Sequence, residues 1–159
     1  TAGMNVYMPT GEYHEADTLN AGRNYWAIAP NAALTYLNTD NGREFSALLG
    51  WTFNDENPAT DYDTGDELHL ECAAIQHLSQ YAYIGVAGYA YQQTTGDSGR
   101  GATFGAFKGQ AMAVGPVMGV MLPLDADHKL MLNVRYYDEF DVENRLEGDA
   151  LFMTAAINF

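Results

Sequence analysis

The sequence predicts an all-β protein, an antiparallel up-and-down transmembrane β-barrel with eight strands in this chain, on three observations. Eight segments alternate apolar with polar residues, at roughly 2 to 9, 25 to 38, 44 to 54, 67 to 78, 81 to 93, 110 to 122, 128 to 138 and 149 to 159. The links alternate in length: 10 to 24, 55 to 66, 94 to 109 and 139 to 148 are long, whereas 39 to 43, 79 to 80 and 123 to 127 are short. In an up-and-down sheet, that puts every long loop at one end and every tight turn at the other. Finally, the last segment gathers Leu151, Met153, Ala155, Ile157 and Phe159 on one face, as a strand facing lipid requires. An edge strand of a soluble sandwich is the competing reading of that segment.

The elements follow in order. The chain is expected to begin inside a strand at Thr1 without a cleavable leader, as a mature or truncated chain would. The second carries Trp26, Ile28, Pro30, Ala32, Leu34 and Tyr36 on its apolar face, the third Phe45, Ala47, Leu49, Trp51 and Phe53, and the fourth Leu68, Leu70, Cys72 and Ala74. The sixth offers Met112, Val114, Pro116, Met118, Val120 and Leu122, and the seventh Leu130, Leu132, Val134 and Tyr136. Charges stay off this face, and Trp26, Tyr36, Trp51 and Phe159 near strand ends match the aromatic girdles of a membrane barrel. Pro30 and Pro116 each lack a ladder donor and are expected to mark a bulge or a locally weakened pairing. Most segments are long enough to cross a bilayer at a tilt.

The opposite face supplies the candidate lumen-lining residues: Asn31, Thr35, Ser46, Thr52, His69, Glu71, Tyr83, Tyr89, Asn133, Arg135 and Tyr137. Strand five is ambiguous, since Tyr81, Tyr83, Tyr89 and Tyr91 share a face with Gly85 and Ala87 and could form a girdle or a lumen wall. The lumen is favoured because Ala111, Ala113, Gly115 and Gly119 beside them leave room for large rings in a narrow interior. His69, Glu71 and His77 on one face of strand four, with Lys129, Asn133, Arg135, Tyr137 and Glu139 on one face of strand seven, are expected to form a satisfied polar network in which opposite charges pair across the barrel, because unpaired buried charge is costly. Contact with a solute or a proton-sensitive role is the alternative use. His69 and His77 cannot share a metal ion, since eight residues of strand separate them by about 26 Å.

Composition narrows the function. A length of 159 residues fits a single domain, 1–159, and 47% apolar with 13% aromatic residues supports ordered structure. A formal charge of −14 with only seven Lys and Arg residues argues against nucleic acid. The lone Cys72 excludes an intramolecular disulfide and any CxxC motif. No stretch is apolar for the 18 or so residues that a membrane helix needs.

Acidity concentrates in the long links, at Glu12, Glu15, Asp17, Asp55, Glu56, Asp61, Asp63, Asp66, Asp141, Glu143 and Glu147. Calcium is a candidate for such loops, but the spacing from Asp61 to Glu67 is not that of an EF-hand, so the expectation is solvated carboxylates, no metal site and no cofactor. Such a rim disfavours anionic solutes. Two strings imitate enzymes. Gly96-Asp97-Ser98-Gly99 resembles the nucleophile motif of trypsin-like proteases, yet Arg100 follows it and no Ala-His-Cys block lies upstream. Asp63-Thr64-Gly65 resembles the aspartic-protease signature without the second copy that a dyad needs. Both are expected to be turns, with no catalytic residue.

Pro9 to Tyr13, Gly22 to Trp26, Asp66 to His69, Tyr91 to Gln93, Gly109 to Pro116 and Glu143 to Arg145 together resemble a family, the outer-membrane proteins associated with meta-pathway phenol degradation. The terminal Phe159 resembles the sorting signal of bacterial barrels. The family resemblance implies transport of small aromatic or other hydrophobic compounds. It also implies a longer protein, of which this chain matches the C-terminal eight strands of a barrel of about twelve, with the remaining strands truncated, supplied by a second chain, or never present. The strand count matters, because eight strands fill their interior with side chains whereas more leave a passage.

The reading is therefore a protein of the bacterial outer membrane, in contact with its lipid, passing small aromatic or hydrophobic solutes without catalysis. The alternatives are a non-conducting structural or surface-binding barrel with acidic extracellular loops, and a soluble ligand-binding barrel of the lipocalin kind.

Overall fold

A computed structural model describes residues 1–125 and 128–158, with only the backbone of Asn158; the expectations placed on Phe159 lie outside the described residues. Eight strands form one sheet in the order of the chain: β1 (Ala2–Tyr7), β2 (Ala27–Asn38), β3 (Arg43–Asn54), β4 (Glu67–Ser79), β5 (Ala82–Gln93), β6 (Gln110–Pro123), β7 (Lys129–Glu143) and β8 (Asp149–Asn158). Every neighbouring pair is antiparallel. Among the described residues there is no helix, hence none that could cross a membrane, which says nothing of strands. The pairing runs from β1 to β8 without returning, so each of these two strands is bonded on one side only among the described residues.

The ladders fix the faces. Opposite one another on one face stand Leu34 and Ala47, Leu49 and Leu70, Ala74 and Val86, Ile84 and Met118, Val120 and Leu132, and Leu130 and Ile157. These side chains are open to the surroundings: Leu34 is 68% exposed, Leu49 49%, Met153 73% and Ile157 50%. The buried apolar residues, Ala27, Ala29, Ala87, Ala111, Ala113 and Val117, lie on the other face. None is larger than valine. Side chains from β2 through β7 of that second face line one cavity, so the sheet curls with the polar face concave. Burial is thus inverted relative to a water-soluble sheet, whose apolar face would be the covered one.

Two expectations need correction and one is narrowed. First, β7 does not stop at 138. It continues along β6 with Phe140 opposite Met112 and, past a register shift between Met112 and Gln110, Glu143 opposite Gln110, helped by the Gln110 amide donating to the Asp141 carboxylate at 2.8 Å. The link to β8 therefore shrinks to residues 144–148, and the alternation of long and short loops fails at this last position. Second, of the two outcomes expected at Pro30 and Pro116, a bulge or a weakened pairing, the weakened pairing is the one that forms. The β2–β3 pairing lapses at Ala29 and Pro30, and the β6–β7 pairing at Gly115 and Pro116, with the register unchanged on either side. Missing N–H donors weaken the ladder there without adding a residue. Third, charge does reach the apolar face at its margins. Asp138 opposes Val114 and Asp149 opposes Asp138 beside the last loop, while Arg43 opposes Gln76 at the other end.

The β2–β3 turn is tight because Asn38 accepts the Gly42 N–H at 2.9 Å and Gly42 takes a left-handed φ of 67°, a conformation that costs glycine little.

Candidate functional site

The concave face is built by large polar side chains lying flat over small ones. Register sets Tyr83 opposite Gly119, and Gly119 opposite Asn133. A Cβ on Gly119 would overlap the Tyr83 ring, so the ring crosses β6 above the bare backbone and its hydroxyl meets the Asn133 amide at 2.6 Å. Half a strand further along β5 the pattern repeats. Tyr89 opposes Ala113, Ala113 opposes Glu139, and the Tyr89 hydroxyl donates to the Glu139 carboxylate. On the other side of the sheet the lean reverses: His69 lies over Gly50 of β3, and Asn31 over Gly3 of β1. Burying backbone under rings in this way keeps the interior dense without large aliphatic residues.

Near the tight turns a hydrogen-bonded row crosses three strands. Thr35 and Ser46 hydroxyls are 3.0 Å apart, Ser46 donates to Glu44 at 3.0 Å, and Glu44 meets His77 Nε2 at 2.8 Å. Glu44 escaped the sequence reading although its two-residue spacing from Ser46 placed it on this face.

The two cavities of the concave face adjoin. One, of about 310 Å³, takes in Thr35, Ser46, Glu71, Tyr83, Arg135 and Tyr137. The other, of about 350 Å³, is lined by His69, Glu71, Tyr89, Tyr91, Arg135, Tyr137 and Phe152. Glu71, Arg135 and Tyr137 belong to both. Asn31 and Thr52 share the face but line neither cavity, and Asn133 is buried beneath Tyr83. All eleven predicted residues therefore lie on one face. The expected pairing of charge across the interior is not what forms, however. Glu139 and Glu44 are engaged along the sheet by Tyr89 and His77, while Glu71 and Arg135 face the same space with no ion pair between them. They stand in an open cavity rather than a dry core, so solvation removes the cost that was expected to drive pairing.

Beyond β3, β4, β5 and β6 the long loops 55–66 and 94–109 are locked together, and the two enzyme-like strings are the two halves of the lock. Asp63 and Ser98 exchange backbone hydrogen bonds at 3.1 and 2.9 Å. The Asp63 carboxylate accepts the Gly65 N–H at 2.9 Å, a turn-forming contact. Asp97 accepts from Tyr62 at 2.6 Å and from Gln93 at 2.6 Å; Gln93, buried, also donates to the Thr64 carbonyl at 2.6 Å and accepts from Gly109 N–H at 3.1 Å. Burial, reinforced by the Asp97 carboxylate, pushes the Tyr62 hydroxyl up to about 12. Asp61 pairs with Arg100. Loop 8–26 joins the cluster through the Asn24 amide, which donates to Asn57 at 2.9 Å.

A family model described as "Putative MetA-pathway of phenol degradation" matches residues 1–155. Neither a curated protein nor a solved structure matches the chain. The family match runs through every strand from β1 to β7 and most of β8; the chain belongs to this phenol-degradation family.

Proposed function

We propose that the chain is part of a bacterial outer-membrane β-barrel through which small aromatic or hydrophobic molecules pass. The observation that carries the reading is the inverted burial. Leu34, Leu49, Val120 and Ile157 are exposed on the convex face while Glu71, Arg135 and four tyrosines line the two cavities. So large an apolar surface is untenable in water and natural in hydrocarbon. Lipid also requires that no strand edge be left unpaired, so β1 and β8 pair with further strands, whether of the same protein or of a second chain. A wider ring of that kind leaves a passage that eight strands alone would fill. The family's link to phenol degradation supports an aromatic solute, and the reading assigns no catalysis to any residue.

The test is reconstitution into lipid vesicles, followed by the entry of phenol and of toluene at increasing protein-to-lipid ratio. Entry that rises with the amount of inserted protein supports passage, and entry no faster than in protein-free vesicles overturns it. One observation favours a second reading, a non-conducting surface barrel: loops 55–66 and 94–109 are bound to one another through Gln93, Asp97 and Tyr62. That reading expects vesicles to stay closed while the loops remain locked.

A further inference from the structure

We propose that the cavity around Arg135 is a binding site for a hydroxylated aromatic carboxylate, with the carboxylate on Arg135, the ring against Tyr89, Tyr137 and Phe152, and the ring hydroxyl donating to Glu71. The inference rests on the reading of the concave face as a passage for aromatic molecules and names the chemical class that face selects.

Arg135 is the only cation among the residues lining the two cavities. Its guanidinium makes no hydrogen bond or ion pair among the described residues, although the chain carries a net charge of −14 and 21 acidic residues. In so acidic a protein, an arginine on a wall with Glu71, Tyr89 and Tyr137 has been left without a partner rather than lacking candidates. A planar fork of donors matches a carboxylate in two parallel hydrogen bonds.

The surroundings fit a ring. Phe152 stands directly opposite Arg135 in the β7–β8 ladder. Tyr137 meets Phe152 edge-on with centroids 6.0 Å apart, and meets Tyr89 edge-on at 5.3 Å. The Tyr89 hydroxyl is held by Glu139, so this fence of rings is fixed in place. Such edge-to-face chains leave ring faces open for another aromatic group. Cavities of about 350 and 310 Å³ are within the range of small-ligand sites.

Glu71 supplies the second pole. It lies opposite Tyr89 in the β4–β5 ladder, lines both cavities with Arg135, and has no hydrogen-bond partner of its own among the described residues. A carboxylate accepts and cannot donate. It therefore welcomes a phenolic hydroxyl, which near neutral pH still holds its proton with a pKa of about 10, and repels a second negative charge. The acidic loops do not forbid an anion, because Asp61 is engaged by Arg100 and Asp97 by Tyr62 and Gln93. The field of the remaining carboxylates decays over about 8 Å at physiological salt.

Calorimetric titration of the detergent-purified protein with 4-hydroxybenzoate, benzoate and phenol tests the assignment. The expected order is 4-hydroxybenzoate tightest. Arg135→Gln should weaken both acids by about tenfold or more, the effect of losing charged hydrogen bonds, and leave phenol unchanged, which also reports that the variant is folded. Glu71→Gln should erase the margin of 4-hydroxybenzoate over benzoate. Should Arg135→Gln fail to fold, Arg135→Lys serves in its place, with an intermediate loss for the acids alone. Equal binding of the acids to wild type and variant, or no binding of 4-hydroxybenzoate, overturns the site. The vesicle assay separates this from the broader reading: phenol entry with no acid binding sinks the site alone, and Arg135-dependent binding without entry sinks the passage alone.

Discussion

The Tyr83 hydroxyl and the Asn133 amide lie 2.6 Å apart although a whole strand runs between them. Only Gly119 permits this, because any Cβ there would occupy the volume of the Tyr83 ring. Gly119→Ala should therefore destabilise the sheet more than Tyr83→Phe. The latter removes one hydrogen bond worth about 1 kcal/mol; the former displaces the ring as well and is expected to cost about 1–3 kcal/mol, as overpacking does. Urea unfolding of both variants in the same detergent gives the comparison, and a smaller loss for Gly119→Ala contradicts the geometry.

Gln93 holds the loops. Its side chain donates to Thr64 and Asp97 and accepts from Gly109, so Gln93→Ala leaves several buried groups unsatisfied, at about 1–3 kcal/mol. Hydrogen exchange should accelerate in 55–66 and 94–109 while the amides of β3 and β4 keep their protection. Uniform acceleration across the sheet would show that the lock is not local.

Alkaline pH should open the same lock. The Tyr62 hydroxyl titrates near 12 in the folded protein against 10 ordinarily, so the folded state holds this proton more tightly than the unfolded one. The stability from this group is complete below pH 10 and is lost as pH rises toward 12. Loop protection should fall over that window, and Tyr62→Phe should flatten the fall. A wild-type profile indifferent to the substitution rejects the coupling.

The convex face should refuse charge. Leu49→Arg on that face is expected to cost about 2–4 kcal/mol if it sits near the middle of a bilayer, whereas Ser46→Arg on the concave face of the same strand should cost far less. Folding into vesicles across a urea gradient distinguishes the two. Equal costs would place β3 outside the hydrocarbon.

Much of this was legible from two-residue periodicity. The faces of β2, β3, β4, β6, β7 and β8 follow from alternation, and the tyrosines of β5 were assigned to the polar side because Ala113 and Gly119 offered room. What periodicity could not reveal was direction along the sheet. Nothing in the order of residues tells whether Tyr89 reaches for Glu139 or Glu71, which both lie on its face; the lean is decided by where small residues clear a path. The extent of β7 was missed because Asp141 and Glu143 read as loop, although Phe140 and Val142 continue the spacing. The pairing of the two enzyme-like strings with each other is a contact between residues 35 apart, which local pattern does not encode.

The aromatic side chains that cross β6 rest on a floor one methyl group deep. Adding a carbon at Gly119 or removing one from Ala113 tips a tyrosine off or onto the concave face. The depth of the concave face is accordingly adjustable in steps finer than a strand, by substitutions that leave every polar residue of that face in place.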